Sequence, residues 1–544
     1  MRASLGMVAA VLASGCAGPA WQRAPHDVRF QRVPEPTLHP KPESRRPADW
    51  SYALEETTTR PLGRVLSPIS WVDEATGGPA AHDVNAFGEV LDSTWFENRI
   101  GRGLLTEAEV IRGPPGPGPA PGRLIVLSSK ISGASPGLRV RDREGREYLA
   151  KFDPPAYPGL ASSAEVITTK ILWSDGYHVP ANFVRRFARN ELVPAESAMG
   201  PGGHGPAAPM TKEGLDDLMM LANPSLGGRV QALFSRIVDG QPIGPFKYRG
   251  TRADDPNDTI PHERRRSLRA YRWFCAWTNN TDARASNSLD VYREAAPGRG
   301  YVVHYLLDFG NSLGSLGTKP KYQSDGYDPV LSWAVLGELF FTAGIRYRYW
   351  LPSQRSPYLS VGMFEADIFD PGRWTPSMPN STFAASTPHD DFWAASLIAR
   401  FTRPMVDGIV ASANYRKPEA AQYVAEVLWR RRQKILRRAF ARMAPIADLE
   451  VTGARVRFVD LEWGDGGRRS GEYVARWQDG DGDWGETSVH RRTEIEVPRL
   501  GGDSPFRSLE IRRRLDERLG PKVVLRLREV GDQLRPVALE RSVL

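Results

Sequence analysis

Cysteine is almost absent: only Cys16 and Cys275 occur in 544 residues. A disulfide framework is therefore excluded, and the chain must hold itself together by packing. Long apolar runs are also missing. None reaches the roughly 18 uninterrupted apolar residues of a membrane-spanning helix, so any attachment to a bilayer would be through lipid. Neither a zinc-finger spacing nor a basic stripe interleaved with aromatics is found. The 72 Lys and Arg are nearly balanced by 64 Asp and Glu, for a net charge of +8. An arginine-rich solvated surface accounts for that excess, and no nucleic-acid partner is expected. What remains is an ordinary globular composition, 41% hydrophobic and 25% charged, in a chain too long for one core. About three or four units are expected, lobes of a single fold included.

At the N-terminus, Arg2 precedes an apolar run over residues 5–13, and Ala13-Ser14-Gly15-Cys16 follows. Small residues directly before a cysteine resemble a bacterial lipoprotein signal. The motif departs from the usual form at Ala13, where leucine is common, with Leu12 one place early. The resemblance implies a signal peptide over 1–16, lipidation of Cys16, and membrane attachment through that lipid. The chain is then expected in a bacterial cell envelope, on the outer membrane, or secreted. The plainer alternative is a small-residue cleavage site that contains a cysteine. Residues 17–50, rich in Pro, Arg and His, read as an extended tether. Residues 51–122 form an extension that ends in the Pro/Gly run 113–122, which excludes helix and strand interiors.

Strand patterns at 123–128, 138–140 and 148–152 flank Ser132-Gly133-Ala134-Ser135-Pro136-Gly137, and the third carries Lys151. Strand, glycine loop, strand, turn and strand with a lysine is how a flap over phosphates is built, although a tight Ser/Gly hairpin has the same signature. A helix is expected over 161–173. Its Glu165 has two readings: the reciprocal partner of Ser162 in a capping box, or the carboxylate that pairs with Lys151. A further strand is expected at 229–238. The acids of 254–263 before Arg264-Arg265-Arg266 read as structural, and His262 is not taken as catalytic.

Residues 277–314 organise the chain. A polar loop holds Asp282 and, five residues on, Asn287. Two apolar runs joined by Pro297-Gly298 then deliver Asp308-Phe309-Gly310. Two acids and an amide gathered by a hairpin suit magnesium and a phosphate. The longest helical pattern is 418–443, whose second half carries Arg430, Arg431, Arg432, Lys434, Arg437, Arg438 and Arg442. A solvated or acid-paired face is the expectation there, with contact to an anionic membrane the minor alternative. From 449 the period becomes two, as in a β domain. Asp479, Asp481 and Asp483 alternate like a calcium loop, but Trp484 stands where glycine is needed, so a hairpin turn is expected.

In order, the Ser132–Gly137 loop, Lys151, Glu165, Asp282, Asn287 and Asp308-Phe309-Gly310 resemble the protein-kinase-like superfamily, and within it the HipA-type atypical kinases most. The resemblance implies an α+β, two-lobed kinase-like fold followed by a small C-terminal β domain. The N-lobe would span 123–245, the mainly helical C-lobe 246–446 and the β domain 447–544. It further implies Mg2+ and ATP as cofactors and an unidentified hydroxyl acceptor. Asp282 would take the hydroxyl's proton, and Asn287 and Asp308 would hold magnesium. Lys151, paired with Glu165, would contact phosphates covered by the backbone of Ser132, Gly133, Ser135 and Gly137. Two departures stand out: Asn280-Thr281 precedes Asp282 where many kinases have His-Arg, and no Ala-Pro-Glu follows Asp308. An exported chain meets little ATP, so a kinase-like envelope binding module without turnover is the alternative, and a small molecule or envelope polymer is a third kind of substrate.

Overall fold

The computed structural model describes residues 34–46, 78–129, 136–202, 205–220, 229–329, 348–462, 471–498, 504–515 and 517–544. Cys16 and the loop residues Ser132, Gly133 and Ser135 lie outside them. The chain forms two compact units, one from Val33–Asp83 and Asp92–Ala439, the other including Val84–Leu91 and Phe440–Leu544.

The larger unit begins with helix α1 (Glu107–Arg112), closed by a capping box between Thr106 and Glu109. Strands β1 (Leu124–Ser129), β2 (Gly137–Arg141) and β3 (Glu147–Phe152) follow, then helix α2 (Leu160–Asp175). Next come β4 (Asn182–Ala188), β5 (Leu192–Gly202), β6 (Gly205–Pro209), helix α3 (Lys212–Met220) and β7 (Arg229–Arg236). The seven strands make one sheet in the order β4-β7-β3-β2-β1-β5-β6. Alternation decides what each face does. Tyr148, Ala150 and Phe152 of β3 join Leu124, Val126, Leu138, Val140 and Phe234 in an apolar cluster. Lys151 therefore points to the opposite face, where its ammonium meets α2.

The start of α2 overturns one local reading. Ser162 and Glu165 form no capping box; the N-cap position is Gly159, in the left-handed region at φ 84°. Asp153 does the capping instead, accepting the N–H groups of Gly159, Ala161 and Ser162 at 2.9–3.0 Å and the Ser162 hydroxyl. An acid just past β3 thus ties that strand to the helix and leaves the Glu165 carboxylate available to Lys151.

After β8 (Gln241–Pro242) comes α4 (Arg266–Thr278), followed by the hairpin β9 (Ser288–Ala296) and β10 (Arg299–Leu306). Asp83 caps α4 from far upstream, accepting the N–H of Arg266 at 2.5 Å and of Ser267 at 3.2 Å. Of the acids expected to precede this helix, Asp258 acts elsewhere and binds His262 and Arg265; nearby, Asp290 of β9 binds Arg252 and His304, all buried. They form an ion-pair cluster, and His262 is part of it.

The unit closes with α5 (Ser381–Ala384), α6 (Pro388–Ile398), α7 (Arg403–Ala411) and α8 (Pro418–Arg442). The basic half of α8 is not simply a solvated or acid-paired face. Arg431 and Arg432 are almost fully buried. Arg431 donates to the carbonyls of Trp277 at 3.0 Å, Ala276 at 2.6 Å and Glu365 at 2.8 Å; Arg432 donates to those of Ile398 and Ala399. The last turn of a helix leaves carbonyls without partners, and a guanidinium satisfies several at once.

In the smaller unit, β11 (Ile446–Thr452), β12 (Arg455–Asp460) and β15 (Glu494–Glu496) make a three-stranded sheet. Strands β13 (Glu472–Asp479), β14 (Ser488–His490), β16 (Phe506–Leu515), β17 (Arg518–Val530) and β18 (Gln533–Arg541) make a five-stranded one. Val456, Phe458, Trp477, Leu509, Ile511 and Leu525 share its core. The turn after Asp479 is closed by Gly482 N–H on the Asp479 carbonyl, with Gly480 at φ 54°, and Asp479 itself pairs with Arg507 at 2.6 Å.

Candidate active site

Three separate elements converge on Lys151. Its Nζ lies 3.1 and 3.3 Å from the two Glu165 oxygens, contributed by α2, and 3.1 Å from Asp308 Oδ1. Burial penalises this ammonium, but the two carboxylates outweigh burial and hold it above the ordinary lysine range. Glu165 is buried, whereas the Asp308 side chain is 54% exposed. Asp308 sits in the left-handed region at φ 57°, a conformation that aspartate tolerates better than most residues and that clusters at functional sites. The turn after it packs on α2: Phe309 is fully buried, and Ser312 Oγ lies 2.7 Å from Thr168 Oγ1. A Cβ on Gly310 would sit 3.5 Å from Glu165 Oε2.

The hairpin brings the amide and the second acid together. Ser288 is opposite Leu306, and Leu307 N–H closes on the Asn287 carbonyl at 2.9 Å. Asn287 thus lies across from the residue just before Asp308. Its Nδ2 donates to the Asp282 backbone oxygen at 2.8 Å and to Asp282 Oδ2 at 3.0 Å. The amide orientation leaves Oδ1 as its remaining acceptor.

Asp282 has two further partners: Asn311 Nδ2 donates to Oδ2 at 2.7 Å, and Arg284 Nε forms an ion pair with Oδ1 at 2.9 Å. The loop beneath it is anchored residue by residue. Asn279 is left-handed at φ 52° and ends α4, and its Oδ1 accepts Trp374 Nε1 at 3.0 Å. Asn280 binds the Cys275 carbonyl through its N–H at 2.8 Å and the Tyr271 hydroxyl at 3.1 Å. Thr281 accepts Ser377 N–H at 2.9 Å on its carbonyl and Lys321 Nζ at 2.5 Å on its hydroxyl.

All the described residues named in advance therefore fall in one region: Lys151, Glu165 and Asp308 in one contact set, Asp282 and Asn287 in an adjoining one. Gly137 pairs with Lys151 across β2 and β3, and Pro136 accepts the Phe152 N–H, so the glycine loop leads directly into the strand beside the lysine. Arg284, Asn311 and Lys321 were not anticipated. Arg284 lies two residues past Asp282 and Asn311 three past Asp308, so proximity in sequence carried a signal for both. Lys321, in a loop of Gly, Ser and Tyr, carried none.

Among the described residues no group of three or more His, Cys, Asp and Glu is arranged to hold a metal. The oxygens present, an Asp308 carboxylate and an Asn287 amide, are hard donors and few. That set fits magnesium, which takes one or two protein ligands and completes its shell with water and phosphate oxygens. A lysine held between two acids supplies a fixed cation beside that place, so the arrangement suits an anionic, metal-bound ligand.

No protein-family model matches the sequence, and no curated protein sequence does. Among solved structures, the chain has a distant, low-identity resemblance to protein-kinase-like folds. The Helicobacter pylori proinflammatory kinase CtkA aligns at 11% identity and a TM-score of 0.30, over 58% of this chain and 99% of that one. The Golgi casein kinase aligns at 9% and 0.30 over 77% and 95%. Its structure with Mn/ADP bound aligns at 8% and 0.28 over 58% and 72%.

Proposed function

We propose that the chain is an atypical kinase-like phosphotransferase, moving a phosphoryl group from Mg-ATP to a hydroxyl acceptor. The observation that carries this reading is the convergence of Lys151, Glu165 and Asp308 from β3, α2 and the end of the hairpin within 3.1 Å contacts, beside the Asp282–Asn287 pair. Phosphoryl transfer asks a protein mainly for positioning and charge stabilisation. Lys151, aimed by Glu165, contacts nucleotide phosphates. Asn287 Oδ1 and Asp308 would hold magnesium, which would supply neutralisation of phosphate charge. Asp282 accepts the acceptor hydroxyl's proton, and Asn287 and Asn311 fix its carboxylate by donating to Oδ2. By the same resemblance the backbone of Ser132, Gly133, Ser135 and Gly137 would cover the phosphates, the first three lying outside the described residues.

A second reading, a binding module without turnover, is favoured by one feature: two amide donors and an ion-paired arginine already occupy the Asp282 carboxylate. Calorimetry with Mg-ATP and a product assay separate the two. The enzyme reading expects binding, ADP release, loss of both with Asp308→Ala, and loss of turnover alone with Asp282→Asn. Binding without ADP release leaves the module; no binding of Mg-ATP sinks the enzyme reading and leaves a module only for another ligand. Lipidation of Cys16 and an envelope location belong to the same proposal, and fractionation of the wild type against Cys16→Ala tests them.

A further inference from the structure

Lys321 is a lysine with no surface at all. Its backbone is fixed by a tight loop: Ser315 bridges Pro320, and Lys321 N–H binds the Gly314 carbonyl at 2.8 Å, which also accepts Met363 N–H at 3.2 Å. Among the described residues its ammonium makes one hydrogen bond, to Thr281 Oγ1 at 2.5 Å. Among the described residues no carboxylate lies within ion-pairing distance, although Asp325 and Asp282 both act on it through space. Burial is the larger effect and pulls it down to about 8. A buried ammonium with so few partners is costly to retain, and a hydrophobic side chain would fill the same space without that cost.

What the lysine touches gives a reason. Thr281 is the uncharged residue directly before Asp282, and Lys321 comes from the segment that follows Asp308-Phe309-Gly310. We propose that Lys321 is a positioning residue for Asp282: by gripping Thr281 from that segment it fixes the loop carrying the acid and places a buried positive charge behind it. This rests on the reading of Asp282 as the proton acceptor. It gives the 312–321 segment a direct hold on the loop, so that displacing one displaces the other. The His-Arg-Asp form carries its cation within the motif; here the cation reaches the same loop from 39 residues after Asp282.

The test uses the full chain with Lys321→Met, which keeps the length of the stem and removes the charge. Hydrogen–deuterium exchange is read for the amides of 280–287 against those of β11 and β12 as an internal control. The expected result is at least tenfold faster exchange in 280–287 with the control unchanged. With Mg-ATP, kcat is expected to fall at least tenfold while the affinity for nucleotide stays within twofold. Wild-type exchange at 280–287, or a loss of affinity equal to the loss of kcat, overturns the proposal. If Lys321→Met does not fold, Thr281→Val, which removes only the acceptor, is judged by the same exchange criterion. If the wild type binds no Mg-ATP, the functional reading fails on that measurement, and exchange still decides whether Lys321 holds the loop.

Discussion

Lys170 offers a sharp test of the packing that aims Glu165, because both lie on α2. Its side chain is buried beneath α1 and the end of α7, where Nζ donates to the Ile111 carbonyl at 2.8 Å and Ser412 Oγ at 2.7 Å. Among the described residues no carboxylate offsets its desolvation, and burial lowers it from 10.5 to about 8. A cation whose folded value lies below its unfolded one binds its proton less tightly when folded. Between about pH 8 and 10 the unfolded state therefore holds more protons, and stability rises with pH at up to about 1.4 kcal/mol per pH step. Integrated from pH 7.5 to 9.5, Lys170 contributes a gain of about 2 kcal/mol. Tyrosines and Cys275, pushed up by burial, act in the opposite direction above pH 9, so the wild-type curve alone is not diagnostic. Lys170→Met removes this titration and leaves the others. Its stability relative to the wild type, from urea unfolding followed by tryptophan fluorescence, should fall by about 2 kcal/mol across that interval. The offset at pH 7.5 is not the test, because the orphaned Ile111 carbonyl adds about 1–3 kcal/mol against the relieved charge, while Ser412 keeps its bond to the Ile409 carbonyl. Parallel pH profiles for the two proteins would refute the reasoning.

Glu165→Gln keeps the shape of the side chain but leaves Asp308 as the sole carboxylate on Lys151; Mg-ATP affinity by calorimetry should fall about tenfold, roughly 1.4 kcal/mol, with the fold intact by circular dichroism. Asp153→Ala strips four donors at the start of α2 of their acceptor and should cost about 2–4 kcal/mol in chemical unfolding, above the usual loss of an N-cap. Gly314→Ala places a Cβ 2.3 Å from the Val361 carbonyl at φ 92°, so an unfolding loss of about 2–4 kcal/mol is expected; a melting temperature equal to the wild type would show that the loop carrying Lys321 tolerates rearrangement.

The placement of the candidate residues was legible because their signals are local. Alternation alone sets Lys151 on the face opposite Tyr148, Ala150 and Phe152, and two apolar runs around Pro297-Gly298 suffice to bring Asn287 next to Leu307. The residues that hold them were not legible, for one physical reason: their partners are distant in sequence. Ser162-x-x-Glu165 reads equally well as a capping box or as a lysine partner, and only Asp153, arriving from the end of β3, decides between them. Arg431 looks like one of seven cations on a wet helix face until the carbonyls of Ala276 and Trp277 at the end of α4, about 154 residues away, claim it. Lys321 sits in a polar loop with nothing to announce its burial. These cases share a site. Helix α4 is held at its start by Asp83, at its end by Arg431, and the loop it feeds is gripped by Lys321. The motif around Asp282 is thus written in six consecutive residues, while its rigidity is assembled from three parts of the chain that no local pattern connects. Substitutions at those three anchors should consequently disturb Asp282 more than changes to solvent-facing residues of the motif itself.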